Sequence, residues 1–159
     1  MEYKMPQLSK NFSLKELTYS STAIRKGIDN TPNFEQVINL THLAINILQP
    51  VRDYHGSTTI SSGLRVLELN RAVGSSDTSQ HRKGEAADME CPGVDNLELA
   101  KWMAKNLEFD QIILEGYEEG DTNSGWIHAS YRADGKNRKK LTTATFIKGK
   151  AKYTNGLPK

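Results

Sequence analysis

The sequence predicts an α+β fold in which a small antiparallel sheet is flanked by helices. Apolar residues recur at helical spacing between Thr31 and Leu48, which predicts a long amphipathic helix. From Phe109 to Glu115, side chains instead alternate between two faces, as expected of a strand. The loop 116–124 is rich in glycine and acidic residues, so it predicts a hairpin that returns 125–131 as an antiparallel strand. Helices and paired strands in one short chain predict helices packed on a sheet.

Capping residues mark where the helices begin. Ser13 followed by Glu16 predicts a short first helix, and Asp95 followed by Glu98 predicts a later one. Pro32 opens the main helix in its first turn, where the missing N–H costs nothing. We expect the buried face of this main helix to comprise Phe34, Val37, Ile38, Thr41, Ala44, Ile45 and Leu48, widened by Leu40, Leu43 and Ile47.

The other ordered stretches are short. They are expected to be a strand over 58–62, a helix over 66–73, a strand over 86–90 and a terminal hairpin of strands 142–147 and 151–154. Lys148 and Lys150 at the tip of this hairpin indicate a solvated edge that resists aggregation. Contact between these lysines and an anionic polymer is the alternative.

Composition limits the classes of protein. A length of 159 residues with 36% hydrophobic content predicts a single domain over 1–159. The net charge of +2 is too small to indicate binding to nucleic acid or to a membrane surface. Cys91 is the only cysteine, so folding cannot depend on an internal disulfide. Met1–Lys10 lacks an apolar core, and no stretch has the length of a membrane span, so we expect neither a signal peptide nor an anchor.

The segment Ser79–Asp88 brings a histidine and a carboxylate together. Along a helix, His81 and Asp88 would be about 10 Å apart, too far to share one metal at about 2 Å each. The chain must therefore fold back, and Gly84 permits that turn. His128, inside the expected strand 125–131, supplies a third ligand. Three protein ligands with one open position predict a catalytic zinc site.

Each of these residues alone would be ordinary, because isolated histidines and aspartates are more often hydrogen-bonding or solvated groups. His42 and His55 are left out of the site for that reason, and Cys91 is expected to be a small buried residue. The combination is more specific. The sequence resembles the zinc D-alanyl-D-alanine carboxypeptidase family in six pieces: Ser61-Ser62-Gly63-Leu64-Arg65, Leu69-Asn70, Ala72-Val73-Gly74, Ser79-Gln80-His81, Gly84-Glu85-Ala86-Ala87-Asp88 and Trp126-Ile127-His128.

The resemblance runs from about residue 11 to residue 131 and leaves a basic C-terminal hairpin, 132–159, outside it. That family has the hedgehog/DD-peptidase fold and includes phage endolysins that cut L-alanyl-D-glutamate bonds. The resemblance therefore implies Zn²⁺ as cofactor and a hedgehog/DD-peptidase-like sheet that carries the zinc site. It also implies that Arg65 points into the cleft and that Ser79, Gln80 and Trp126 lie against the substrate. Two further roles of Ser79 are equally open: it is an ordinary turn residue, or it fixes the position of His81.

Glu115 is the candidate general base. If Glu115 lies opposite Trp126 in the hairpin, it is diagonal to His128 at roughly 7 Å, which leaves space for one water. Some relatives carry their catalytic carboxylate three residues before the last histidine, where this chain has Gly125. Glu115 is therefore preferred, and Glu118 and Glu119 in the loop are second choices.

The residues predict a zinc site, and the resemblance implies a zinc peptidase that acts on the stem peptides of peptidoglycan. We expect an endolysin-type L-alanyl-D-glutamate endopeptidase, monomeric, made in the cytoplasm and released to the cell wall at phage lysis. A D-Ala-D-Ala carboxypeptidase and a non-catalytic zinc-stabilised wall-binding module are the alternatives. A nucleic-acid partner has only the C-terminal cations in its favour and is not expected. A zinc deaminase is excluded because its signature needs a second cysteine.

Overall fold

A computed structural model describes residues 6–159, in which one six-stranded sheet has the order β1-β2-β4-β3-β5-β6. The strands are β1 (Thr59–Ser62), β2 (Ala86–Glu90), β3 (Gln111–Glu115), β4 (Trp126–Ser130), β5 (Lys140–Ile147) and β6 (Lys150–Asn155). Strands β3 and β5 are parallel, and the other neighbours are antiparallel. The predicted α+β class is confirmed, as are the two predicted hairpins, but the sheet is mixed rather than antiparallel throughout.

The parallel pair follows from the path of the chain after β4. The end of β4 lies beside the start of β3, because Ser130 is opposite Gln111. The connection 131–139 then passes the start of β3, where the backbone N–H of Lys139 and of Lys140 donates to residues 109 and 110. Strand β5 therefore begins beside the start of β3 and runs in the same direction.

The helices lie before and between the strands. They are α1 (Leu14–Thr18), α2 (Ser21–Lys26), α3 (Phe34–Leu43), a π-helical segment (Ala44–Leu48), α4 (Gln49–His55), α5 (Leu67–Ala72) and α6 (Asn96–Asn106). The predicted caps Ser13 and Asp95 each accept a hydrogen bond from the backbone N–H three residues later. Helix α3 instead begins after Asn33, which forms a capping box with Gln36, so its start is later than Pro32 suggested.

The buried face of the main helix differs from the predicted one. Leu40, Leu43 and Ile47 are fully buried, whereas Phe34 is 81% and Ile45 53% exposed. At about 100° per residue, Phe34 and Ile45 lie on the side of the helix away from Leu40. The predicted face is thus wrong at Phe34 and Ile45 but confirmed at Ala44 and Leu48, which are fully buried. The helix carries apolar residues on two faces, and only one of them meets the core.

The core fills the space between the helices and one face of the sheet. Strand residues on that face are buried: Ala87, Met89, Ile112, Leu114, Ile127 and Ala129. Helix residues including Leu17, Leu43, Ile47, Leu99 and Met103 complete the cluster. By strand alternation the residues between them, among them Asp88, Ile113 and His128, lie on the other face. A search of the described helices finds none with the length and apolar character that a membrane crossing needs. The expectation for Met1–Lys10 concerns in part residues 1–5, which lie outside the described residues.

Candidate metal centre

Two of the three predicted ligands are held by paired strands. Asp88 on β2 lies directly opposite His128 on β4, and His128 lies opposite Ile113 on β3. Paired residues point to the same side of a sheet, so Asp88 and His128 meet above the face that is away from the core. This placement follows from the strand register, because a slip of either strand by one residue would turn the ligand on that strand into the core.

His81 reaches the same point from a single turn of 3₁₀ helix over Gln80–Lys83. Ser79 caps this turn through a hydrogen bond that its hydroxyl accepts from the His81 N–H. Gly84 ends the turn with a φ of 75°, and a Cβ added there would lie 2.8 Å from the carbonyl oxygen of Gln36. The prediction that Gly84 lets the chain fold back is therefore confirmed.

A contact with the backbone fixes the orientation of the His81 ring. Its Nδ1 lies 2.7 Å from the carbonyl oxygen of Gly63. A carbonyl can only accept, so Nδ1 carries the proton and Nε2 keeps its lone pair. That Nε2 is the atom nearest Asp88. Such a backbone contact selects the tautomer that a metal-binding histidine needs.

The two separations between Asp88 and the histidines fit a zinc ion. One ligand atom from each of His81, Asp88 and His128 lies within 4.8 Å of the others. Asp88 Oδ1 is 3.4 Å from His81 Nε2 and 3.3 Å from His128 Nδ1. Two ligands of a tetrahedral zinc with bonds of about 2.0–2.1 Å stand about 3.3 Å apart. Charge-assisted hydrogen bonds are shorter, about 2.7–2.9 Å, so the spacing suits a shared cation better than two ion pairs.

The charge of Asp88 is stabilised where it lies. Burial alone would raise the pKa of this carboxyl, but the contacts with His128 and His81 hold it well below its usual value. His81 is 2% exposed at its side chain, and Asp88 15%. A deprotonated carboxylate between two imidazoles in a largely buried setting is the state in which all three groups can bind a metal.

Glu115 lies one strand away from this centre. It is opposite Trp126, and Ile113 is opposite His128, so the register predicted from the sequence is confirmed. Burial and the nearby charge of Asp88 raise the pKa of the Glu115 carboxyl, against the opposing effects of His128 and Arg65. A carboxyl with a raised pKa on a groove wall is suited to accepting and returning a proton.

The alternative positions for a catalytic carboxylate are less suitable. Gly125 has a φ of 70°, and a Cβ added there would clash with the carbonyl oxygen of Glu115. A side chain therefore does not fit at this position, which explains why the carboxylate of other relatives has no counterpart there. Glu118 and Glu119 are exposed and are not among the described residues that line the groove around the ligands.

Arg65 also borders the groove. Its backbone N–H donates to the carbonyl oxygen of His81 at 3.0 Å, which ties the end of β1 to the ligand turn. Burial lowers the pKa of the guanidinium, and the charges of Asp88 and Glu115 act against that shift. Its buried Nε has no hydrogen-bond partner among the described residues. A buried donor without a partner is one that a ligand can satisfy.

The groove has a volume of about 930 Å³, and all the predicted site residues line it. These are Arg65, Ser79, Gln80, His81, Asp88, Glu115, Trp126 and His128. His42 stacks on Tyr131 and His55 packs against Trp102, so both lie outside this site, as expected. The C-terminal hairpin, for which only the lysines at its tip were assigned a role, contributes Thr142, Phe146, Tyr153 and Asn155 to the lining.

Sequence reasoning missed Asp110, which organises one side of the groove. Its side chain is 1% exposed and accepts hydrogen bonds from Gln80 Nε2 at 2.9 Å and from the Arg138 guanidinium at 2.8 and 3.1 Å. Asp110 precedes the apolar residues Ile112 and Leu114 on the core-facing alternation of the expected strand. A carboxylate in that position was the available signal, because a buried charge requires partners.

In this α+β fold, two imidazoles and a carboxylate meet at the sheet, with a second carboxylate beside them. A metal-dependent hydrolase requires this arrangement. Comparison with known families identifies which one. The family described as Peptidase M15 matches residues 10–130, and the chain belongs to it. The resemblance to zinc D-alanyl-D-alanine peptidases is thereby confirmed. A search of curated protein sequences finds no match. The family match ends at the last residue of β4, before β5 and β6.

Proposed function

We propose that this protein is a zinc-dependent peptidase that hydrolyses peptidoglycan stem peptides between L-alanine and D-glutamate. One observation carries the proposal: the ligand atoms of His81, Asp88 and His128 converge at zinc spacing beside Glu115 and Arg65. Membership of the Peptidase M15 family supports the peptidase activity and, with it, a hedgehog/DD-peptidase-like fold. These residues fit Zn²⁺ because two neutral imidazoles and one carboxylate leave a fourth position open.

His81, Asp88 and His128 would hold the metal. When bound, zinc polarises the scissile carbonyl and lowers the pKa of water to about 7. The protein's own residues perform the proton transfers. Glu115 accepts a proton from the attacking water and returns it to the leaving amine, a contribution of about 10²–10⁴-fold. The raised pKa of Glu115 brings it closer to the pH at which such an exchange is efficient.

Arg65 would bind the oxygen on which negative charge develops, or a substrate carboxylate. Its planar guanidinium offers several donors in a fixed geometry, and its buried Nε lacks a partner. Trp126 forms a wall of the groove, and Gln80, held by Asp110, presents an ordered amide next to His81. Ser79 caps the turn that carries His81 and lines the same groove.

The shape of the groove favours an endopeptidase over a carboxypeptidase. Besides the metal ligands, its lining includes residues of the loop between α5 and the ligand turn and residues of strands β5 and β6. An endopeptidase needs space on both sides of the scissile bond, whereas a carboxypeptidase needs a closed end with a cation. Arg65 could be that cation, so D-Ala-D-Ala cleavage is the alternative outcome of the test.

The biological setting completes the proposal. We propose a monomer with a single domain over 1–159 that acts on the cell wall after release at phage lysis. The endolysin-like set of motifs supports this setting, and the net charge of +2 is in keeping with a protein that does not bind nucleic acid. Size-exclusion chromatography with light scattering would measure the oligomeric state.

Metal analysis and mass spectrometry test the activity. The purified protein should contain one zinc per chain, and His128→Ala should lose it. Digestion of purified peptidoglycan should release stem peptides with a new N-terminal glutamate, and a chelator should abolish that release. Loss of only a terminal D-alanine would instead establish the carboxypeptidase. Wall digestion that survives complete metal removal would disprove the mechanism.

A further inference from the structure

The C-terminal hairpin has two chemically different faces. By its register, Thr142, Ala144 and Phe146 of β5 pair with Asn155, Tyr153 and Ala151 of β6. These six residues share the face of Glu115, because Glu115 pairs with Ala144. All six are uncharged, whereas Lys150 and Lys152 lie on the opposite face of β6. Apart from Lys140 at the start of β5, which also lines the groove, the hairpin thus presents an uncharged surface to the groove.

Aromatic rings dominate the neutral face, and they are exposed. Phe146 is 50% exposed and Tyr153 61% exposed, although both are large. Phe146 stacks on Trp126, with ring centroids 5.9 Å apart and an angle of 27° between the planes. Trp126 belongs to the family-matched part of the chain and Phe146 does not. The rings therefore form one continuous surface from the candidate site to the hairpin.

We infer that this face, with Tyr153 and Phe146 at its centre, is a binding subsite for a neutral N-acetylated sugar of the glycan strand. The inference rests on the proposed function, which supplies a substrate that carries such a sugar. A pyranose ring offers an apolar C–H face that packs on aromatic rings. Its hydroxyl and acetamide groups need hydrogen-bonding partners of the kind that the Asn155 amide provides. A charged ligand would find no opposite charge on these six residues.

The distance from the hairpin to the site matches the length of a stem peptide. Tyr153 is two strands from Glu115 and three from His128, about 10 and 14 Å at the usual spacing. In a stem peptide, a single L-alanine and the lactyl group separate the sugar from the L-alanyl-D-glutamate bond, a span of roughly 7–8 Å at about 3.5 Å per residue. The D-Ala-D-Ala bond lies about three residues, or roughly 10 Å, further away. A sugar on the hairpin therefore places the metal ligands within the length of the stem peptide that the sugar carries.

Calorimetry and paired substrates test the subsite separately from the catalysis. We expect the full-length protein to bind a neutral tetrasaccharide of N-acetylglucosamine, and Tyr153→Ala to abolish that binding. With stem peptides as substrate, kcat/KM should be higher when the N-acetylmuramyl group is attached. Tyr153→Ala should lower it about tenfold for the muramyl peptide and leave the free peptide unchanged.

Two variants control for misfolding. Tyr153→Phe keeps the ring and should retain the preference for the muramyl peptide. Lys152→Ala changes the next residue, on the opposite face, and should have no effect on either substrate. If the wild-type protein does not bind the tetrasaccharide, or if Tyr153→Ala affects both peptides equally, the subsite is disproved. If neither peptide is cleaved at all, the proposed function fails, and calorimetry still decides the subsite.

Discussion

Two carboxylates lie at the ends of strand β3, and their surroundings shift their pKa values in opposite directions. Asp110 comes directly before the strand, is 1% exposed and is surrounded by donors from Gln80 and Arg138. Burial acts to raise its pKa, but these hydrogen bonds outweigh it and hold the pKa below the usual value. Glu115 ends the strand, and its pKa is raised because burial and Asp88 outweigh His128 and Arg65.

The difference separates a structural carboxylate from the one that we propose as general base. A carboxylate whose partners outweigh its burial keeps its charge and holds its neighbours in place. A carboxylate whose burial is not offset takes up a proton more readily. A general base needs this ability, because it accepts a proton and releases it again in each turnover. The two groups lie at opposite ends of one strand, so variants of each can be compared in one background.

Glu115→Gln should have the largest effect on activity. The amide keeps the shape of the side chain but loses the basic lone pair, so kcat should fall by about 10²–10⁴-fold. Zinc content should not change, because Glu115 is not one of the converging ligands. Glu118→Gln, in the exposed loop, is the matched control and should digest cell walls at the wild-type rate. Wild-type turnover by Glu115→Gln would show that the base lies elsewhere.

Asp110→Asn should affect stability rather than turnover. The substitution weakens charge-assisted hydrogen bonds in a buried position, at a cost of about 1.5–3 kcal/mol in the free energy of unfolding. Glu108→Gln is the control, because Glu108 forms an exposed ion pair with Lys139 and should cost less than about 1 kcal/mol. Urea unfolding measures both. Equal effects of the two substitutions would show that Asp110 is not a structural anchor.

Much of the site was predictable because it depends on local signals. The turn at Gly84 and the pairing of Glu115 with Trp126 follow from residues close together in sequence. The interaction of Asp110 with Arg138 was not predictable, since it joins residues 28 apart across a connection of unknown direction. The place of β5 beside β3 has the same origin, and with it the contribution of Phe146 to the groove. Periodicity identifies strands and faces, but not which strand edge a later segment joins.

Helix α2 shows a second kind of limit. No helix was predicted over residues 20–30, yet Ser20 caps α2 and Gly27 ends it in a left-handed conformation. Both signals are present in the sequence. A helix of six residues has too few apolar positions for periodicity to reveal it, so only the caps could have done so.

Arg65→Lys should have a smaller effect than loss of Glu115. The charge is kept, but the ammonium lacks the planar fork that contacts a carboxylate or an oxyanion at two points. We expect kcat/KM on stem peptides to fall roughly tenfold, about 1.4 kcal/mol, without loss of zinc. Arg71→Lys, whose arginine pairs with Asp77 on the surface, is the control. A wild-type kcat/KM for Arg65→Lys would show that Arg65 takes no part in substrate binding.

The smallest expected effect distinguishes the two carboxylates by sign. In the folded protein the pKa of Glu115 is above its ordinary value of 4.5, so the folded state binds the proton more tightly. Stability due to this group is therefore complete below the unfolded pKa and is lost as pH rises through the folded pKa. For Asp110 the folded pKa lies below 3.8, so its contribution is present above that value and is lost as pH falls through the folded pKa.

In metal-free protein at neutral pH, Glu115→Gln should thus be more stable than wild type and Asp110→Asn less stable. Urea unfolding between about pH 4 and pH 7 should show the advantage of Glu115→Gln growing as pH rises, and an advantage that does not change with pH would mean that the raised pKa of Glu115 is not linked to folding.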